Sequence, residues 1–525
     1  MSGPETTGHD QLDDDQGIEE PWQLLHPLTW VAGVAITGAI MLGIGIVTAV
    51  ILVVAGISLA WTLLWVVLGV VVLTGLIGVA EIIRVRATRY RIHRDRLQLR
   101  IQFIASSTRS LPLSRIRTID LTADLVQRLF GLTSVRFGTG DQSGAKFALS
   151  TLSQTDAEAL RRTILGTAPA AADDDRPTTG VGRLASFELG WIRYAPVSLA
   201  VPALGVAAFG AVVQVADWFN MVPQLWGLIS GLMVSLILPL QILVLLLIAL
   251  VIGVIGSMII FVEAWWNYHL DRDADGTLHI QRGFFVRRSS SFSGSRIRGI
   301  TLEEPLGYRR AGAAKLKIIA VGLQQQDSNQ NQQMDASTIV PAVPRAVAVG
   351  VAETVIGRTL PTDDLVGHPR AAALRRYRWA GFALFAVLVL LALPALLWQP
   401  VLWSLVAAVA VVGIPITWWL ARDNARSLGH LITEAHVVIR TGSVFRSTHV
   451  LTRNGLLGWN LRQSPGQRRL GLVTLVATSA ANPGHFRLPD LDPAAALPIQ
   501  RTAGPVWDHL WTTSAPNLAR QRPAR

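Results

Sequence analysis

"VQRLFGLTSVRF" (residues 126–137) recurs 340 positions later as "GQRRLGLVTLVA" (466–477), and more faintly between them as "GYRRAGAAKLKI" (307–318). A phrase used three times in one chain marks an internal repeat, and the repeat defines the folding unit before any element is assigned. Working outward at an offset of 181, "SRIRTIDL" (114–121) falls on "SRIRGITL" (295–302). Arg115, Ile116, Arg117, Ile119 and Leu121 then match Arg296, Ile297, Arg298, Ile300 and Leu302. The same offset carries Leu125 to Leu306, Arg128 to Arg309 and Gly131 to Gly312. The third copy keeps Gln467, Arg468, Gly471 and Leu472 but has Gly455 where Arg115 stands. It is the divergent member.

Within a unit the apolar period is two. "YRIHRDRLQLRIQF" alternates at Tyr90/Ile92 and again at Leu97/Leu99/Ile101, and "RIRTIDL" and "SVRFGTG" do likewise. Such alternation predicts half-buried strands. "TDAEALRRTIL" (155–165) instead places Ala157, Leu160 and Leu165 on one helical face, with Thr155 as its expected N-cap. "LDPAAALPI" (491–499) closes the third copy in the same way. Each unit therefore reads as short strands closed by a helix. Gly131 and Gly471 are expected to end a short helical segment with positive φ before the next strand.

Between the units the chain is apolar and uncharged. Half of the 525 residues are hydrophobic, 16% are charged and mean hydropathy is +0.40. Residues 27–83, 194–270 and 379–421 contain no Lys or Arg. They resolve into runs at 29–53 and 58–80, 195–216 and 236–262, and 378–397 and 402–420. Each run is long enough for a hydrocarbon core, which takes roughly 20 helical residues. Six spanning helices in three hairpins are predicted. "DWFNMVPQLWGLIS" reads as an interfacial connection in the second, and Gly227 and Gly231 form a GxxxG spacing that is a weak packing signal. The expected organisation is an acidic N-terminus (1–26), hairpin one (27–83), unit one (84–190), hairpin two (191–262), unit two (263–376), hairpin three (377–421) and unit three with its tail (422–525).

Orientation follows from the arginines. The net charge is +12, and 44 of the 47 basic residues are Arg. Arg84, Arg86, Arg89 and Arg91 follow the second span, while "RRYR" (375–378) and "RDNAR" (422–426) flank the third hairpin. The outer connections carry only Asp217 as a charge. The positive-inside tendency then puts the units and both termini in the cytoplasm. The N-terminal stretch has seven acidic residues and no basic n-region, so no secretory signal is expected.

A hairpin followed by "RSLPLSRIRTIDLTADLVQRLFGLTSVRFGTG" resembles the bacterial pleckstrin-homology (PH) membrane proteins, the YdbT-like group. The resemblance covers nearly the whole chain. It implies an α + β membrane protein in which each hairpin is followed by a partly open, orthogonally packed β-barrel capped by a helix. It also implies a hetero-complex with a smaller PH-domain membrane protein as partner, and a bacterial inner-membrane setting.

The candidate residues are arginines. Arg84, Arg86, Arg89, Arg91, Arg287 and Arg288 are candidates for contact with anionic lipid headgroups, worth about 1 kcal/mol per basic residue at the surface. Arg84 to Arg91 serve equally as topology determinants. The repeated Arg115, Arg128, Arg296, Arg309 and Arg468 are expected to pair with carboxylates or carbonyls of their own unit; docking of units together is the alternative. No cysteine is present, which excludes disulfides and thiolate catalysis. No HExxH, P-loop, nucleophile elbow or metal-ligand spacing occurs, so neither an enzyme, a cofactor nor a metal is expected. The arginines lack an aromatic strand platform for nucleic acid. Within the spans the polar inventory is Gln214, Gln241 and small polar residues, with Glu81, Asp217 and Glu263 at the edges, whereas ion-coupled transporters hold ionisable groups near midplane. The expected function is a non-catalytic scaffold binding lipid or protein, in envelope stress or export; the alternative is a transporter or flippase component regulated by the units, and a third option is a lipid-modifying enzyme.

Overall fold

The computed structural model describes residues 22–102, 106–113, 116, 118–138, 147–165, 182–198, 201–233, 238–321, 337–360, 364–397 and 402–502. Unit one runs β1 (Gln23–Leu24), the hairpin α1 (Thr29–Val54) and α2 (Leu59–Ala87), β2 (Thr88–His93), β3 (Arg96–Gln102), β4 (Ser106–Pro112), β5 (Thr118–Ala123), α3 (Leu125–Leu129), β6 (Leu132–Gly138), β7 (Phe147–Ser153) and α4 (Gln154–Leu165). Unit two opens with β8 (Gly182–Ser186), a 3-10 segment Leu189–Val197, and helices α5 (Val201–Trp218), α6 (Val222–Met233) and α7 (Leu238–Trp265). It continues with β9 (His269–Arg272), β10 (Leu278–Arg282), β11 (Arg287–Phe292), β12 (Ile297–Pro305), α8 (Leu306–Arg310), β13 (Ala313–Ala320), β14 (Thr338–Pro344) and α9 (Arg345–Ile356). Unit three opens with β15 (Val366–Gly367), α10 (Arg370–Leu397) and α11 (Leu402–Ser427). Its remaining elements are β16 (Gly429–Ile432), β17 (His436–Thr441), β18 (Phe445–Thr452), β19 (Leu456–Arg462), α12 (Pro465–Arg468), β20 (Val473–Ser479), β21 (His485–Leu491) and α13 (Pro493–Thr502).

Six helices among the described residues are long and apolar enough to cross a membrane, and the chain is a multi-pass membrane protein of α + β class. Their apolar side chains remain exposed, Leu68, Leu246 and Leu390 among them, as lipid-facing residues must be. Extensive helix packing runs within each hairpin, α1 on α2, α5 on α7 and α10 on α11. In the second hairpin the backbones meet at glycines that the sequence reading did not single out. A Cβ on Gly205 would lie 1.8 Å from the Ala249 carbonyl oxygen, and one on Gly253 2.3 Å from that of Val201. The expected GxxxG pair, Gly227 and Gly231, lies instead on α6, where an added Cβ meets nothing within 4 Å.

The hairpins do not precede the units; they interrupt them. β1 pairs with β2, β8 with β9 and β15 with β16, so each sheet takes its first strand from the far side of a hairpin. This corrects the boundary at 190. Residues 182–186 belong to unit two, and so do Trp191 and Tyr194, which are buried in its core although they were expected in or beside the hairpin. Trp191 stands against Tyr268 with ring centroids 6.1 Å apart.

The repeated phrase encodes a small device. Asp124 and Gln127 form a capping box at α3, and Ser464 and Gln467 form the same box at α12. Gly131, Gly312 and Gly471 then turn the chain at φ +66°, +69° and +65°. At the closing helix α4 the cap is Ser153, whose Oγ accepts from the Asp156 N–H at 3.0 Å, rather than Thr155. The polar insertion expected at 323–338 lies almost wholly outside the described residues, as does Arg115.

Strand pairing does not respect the units. β1–β4 form one sheet and β19–β21 another, but β7-β6-β5 continues into β11-β10-β9-β8, and β14-β13-β12 into β18-β17-β16-β15. The second half of units one and two is therefore one sheet with the first half of the unit that follows. Buried groups mark these seams. Desolvation pushes the Asp120 carboxyl up, opposed by a hydrogen bond from Ser290 and by Arg282, Arg136 and Arg288. At the second seam Thr301 Oγ1 and His449 Nδ1 are 2.9 Å apart, and burial, reinforced by Lys317, pushes His449 down to about 4.

Two predictions follow from packing and burial. Gly253→Leu separates α5 from α7 and costs about 1–3 kcal/mol, the range for overpacking; tryptophan fluorescence of the full chain reads a lower Tm, while Gly227→Leu leaves it unchanged. His449 unfolded takes up a proton near pH 6.5, whereas folded it does not until about 4. Stability is thus intact above that range and is lost as pH falls from 6.5 towards 4. His368, depressed by burial to about 4, shares the window, and burial depresses His430 in the same direction. His449→Gln should flatten, without abolishing, the fall of Tm measured across it.

Candidate membrane-surface site

The spanning helices run into the sheets almost without linkers. Ala87 ends α2 and Thr88 begins β2, with Thr88 Oγ1 donating to the Arg84 carbonyl at 2.8 Å. α11 reaches Ser427 one residue before β16, and α7 reaches Trp265 three residues before β9 starts at His269. The sheets are therefore held at the membrane-proximal ends of the hairpins, where basic and aromatic side chains meet. Arg310 stacks on Trp419 at 5.1 Å, Arg422 on Trp418 at 5.3 Å and Arg91 on Trp22 at 4.4 Å, whereas the Arg282–Trp265 pair, at 4.3 Å, is buried in the core of unit two. Tryptophan and arginine are the side chains that suit a water–lipid boundary.

The β10–β11 hairpin is docked onto the end of α7. Gly283 N–H donates to the Trp266 carbonyl at 2.9 Å and Phe284 N–H to that of Glu263 at 2.8 Å. Only glycine fits here, since at φ +111° a Cβ would lie 2.0 Å from the Val286 carbonyl oxygen. The turn leaves Phe284 and Phe285 exposed, their rings 4.8 Å apart, with Arg287 exposed and Arg288 half-buried at the seam. The β17–β18 hairpin repeats the arrangement on α11. Ser443 Oγ donates to Asp423 at 2.6 Å, Gly442 has φ +92°, and Phe445 is exposed.

Of the arginines expected at headgroups, Arg86, Arg89 and Arg287 are free to face solvent. Arg84 is paired with Glu81 through its Nε at 2.8 Å, and Arg91 Nε donates to Gln98 at 2.9 Å. Three of the repeated arginines, Arg128, Arg296 and Arg309, take the alternative role of docking units together. Arg128 Nη1 donates to the Phe284 carbonyl at 2.9 Å, Arg296 Nη1 to that of Ile116 at 2.7 Å, and Arg309 Nη2 to Asp423 at 2.8 Å. Each reaches into an adjacent unit. Arg468, the third copy of this position, is exposed.

Two further arginines were read only as topology signals. Arg375 and Arg376 of α10 both pair with Asp490, which is wholly buried, the latter at 2.8 Å, and Gln467 Nε2 donates to the same carboxylate at 2.8 Å. This cluster fastens helix α10 to unit three across 115 residues of sequence. Beside it opens a cleft of about 370 Å³ lined by Arg375, Arg378, Trp379, Phe382 and Arg469. Arg375 and Arg378 precede the exposed Trp379 and Phe382 on α10, and Arg469 follows α12. Among the described residues no group of His, Asp or Glu could hold a metal ion.

A family model described as bacterial PH domain matches residues 27–168, 189–359 and 379–504. The chain belongs to the bacterial PH domain family, with three copies of the domain, each matched together with spanning-helix sequence. No curated protein and no solved structure matches it.

Asp490→Ala leaves two guanidinium groups at a desolvated site without their anion. The expected loss is about 3–5 kcal/mol, the usual cost of breaking a buried pair, measured as an earlier denaturation midpoint of the full chain, with the exposed Asp364→Ala as the comparison.

Proposed function

We propose that this protein is a non-catalytic scaffold of the bacterial inner membrane, with its three PH-like units on the cytoplasmic leaflet and in contact with anionic lipid. The observation that carries the reading is the direct continuation of spanning helices into sheet strands, which keeps basic-aromatic hairpins beside the bilayer surface. The excess of arginine at those helix ends supports the cytoplasmic side. The amphipathic cleft supports the lipid contact. Arg378 and Arg469 suit a phosphate headgroup, and Trp379 and Phe382 suit the acyl chain below it. A protein partner bearing the same kind of domain fits the same scaffold, since the units already join one another through strand edges. Packing of helices within rather than between hairpins gives the transporter reading no support.

Native mass spectrometry of the full chain in detergent, with phosphatidylglycerol and phosphatidylcholine offered together, tests the reading. Preferential retention of phosphatidylglycerol is expected, weakened by salt. Arg378→Gln with Arg469→Gln should lower that retention roughly 30-fold, at about 1 kcal/mol for each arginine. Equal retention of the two lipids by the unaltered chain overturns it.

A further inference from the structure

Eight strands end the four sheets among the described residues, and two of them are counterparts of strands that are paired on both sides in the other units. Among the described residues β4 pairs only with β3, and β19 only with β20. They are not unrelated edges. β4 is the unit-one counterpart of β11 and β18, and β19 is the unit-three counterpart of β5 and β12. Those four strands make the two internal seams.

The seams share one register. Ile119 faces Ser291 at the first and Ile300 faces Val450 at the second, which are equivalent positions under the repeat. Carried forward once more, Trp459 faces Ser110, Asn460 faces Arg109 and Leu461 faces Thr108. Burial changes accordingly. Ser291 and Val450 are 0% and 2% exposed, whereas their counterpart Ser110 is exposed. Leu121 and Leu302 are 6% and 1% exposed, whereas Leu461 is 44%. Pro112, which could blunt β4, lies beyond these rungs.

Side-chain chemistry matches as well. The rung after the isoleucines is a polar pair at both seams: Ser290 bonds Asp120, and Thr301 and His449 are 2.9 Å apart. The third rung would join the Asn460 amide oxygen to the Arg109 guanidinium, an acceptor to a donor. Arg128 and Arg309 each cross to the following unit, whereas Arg468, their counterpart, is exposed. Each seam also keeps consecutive hairpins in one membrane, so a further unit joined the same way would bring its hairpin into that membrane too.

We infer that β19 adds to β4 of a second copy of this chain, continuing the seam between molecules. The two edges differ, so the contact is head-to-tail and generates a ring or an open row rather than a two-fold dimer. Backbone hydrogen bonds supply the affinity, and the Asn460–Arg109 rung supplies the register.

Because the chain lacks cysteine, introduced thiols report alone. Thr108→Cys on one tagged copy and Leu461→Cys on a differently tagged copy are co-expressed and oxidised in membranes. One covalent dimer carrying both tags is expected, absent when Leu461→Cys is replaced by Leu457→Cys. Leu302→Cys with Thr448→Cys, the same rung of the internal seam, establishes that the geometry accepts a disulfide. Native mass spectrometry of the unaltered chain should give multiples of its 56.9 kDa mass. A monomer there, together with no mixed-tag dimer, overturns the inference. So does closure of both thiols within one chain at monomer mass, or oxidation of Leu461→Cys onto a smaller, different protein.

Discussion

An open sandwich of two half-sheets leaves strand edges whose N–H and C=O groups must find partners. In this protein those of β5 and β12 are satisfied by β11 and β18 of the following unit. Everything else is arranged around that exchange. Cores of successive units merge across the second seam, where Val438 and Val450 of unit three join the core of unit two and Ile319 of unit two joins that of unit three. The array is thus closer to a short solenoid, stabilised by neighbour interfaces, than to three tethered domains.

The seams also explain why arginine recurs at fixed positions. Arg128, Arg296 and Arg309 each bond a neighbouring unit. Planar guanidinium donors are well suited to reach carbonyls and carboxylates across such a joint. The same economy governs the membrane side, where Asp423 accepts from unit two through Arg309 and from unit three through Ser443. One carboxylate at the end of one helix therefore ties two units and a hairpin together.

Much of this was legible in the sequence because it is local. Apolar runs without charge mark hairpins by length alone, and a period of two marks strands such as Leu97–Ile101. The turn glycine recurs in all three units as Gly131, Gly312 and Gly471, although the capping box before it is kept only in units one and three. What was hidden is non-local. The two residues of β1 and the two of β15 carry no periodic signal, and only their pairing across a hairpin makes them strands. Alternation in "RIRTIDL" says which face is buried but not which strand lies alongside, so the seam between units could not be read. At the candidate site the arginines were visible as charge. Their partners were not, because Asp490 stands 115 residues from Arg375 and the carbonyls of Phe284 and Ile116 have no sequence signature.

Placing each hairpin between the first and second strands of its own sheet has a consequence for biosynthesis. As the chain emerges, β1 must wait while two spans enter the bilayer before β2 exists to receive it. β5 must wait longer, through the whole of the next hairpin, before β11 arrives. Folding is therefore paced by membrane insertion: a ribosome that has released unit one has released half-finished sheets, and each hairpin delivered to the insertion machinery allows the unit behind it to close. A truncation after the first unit would leave an edge exposed rather than a smaller working domain.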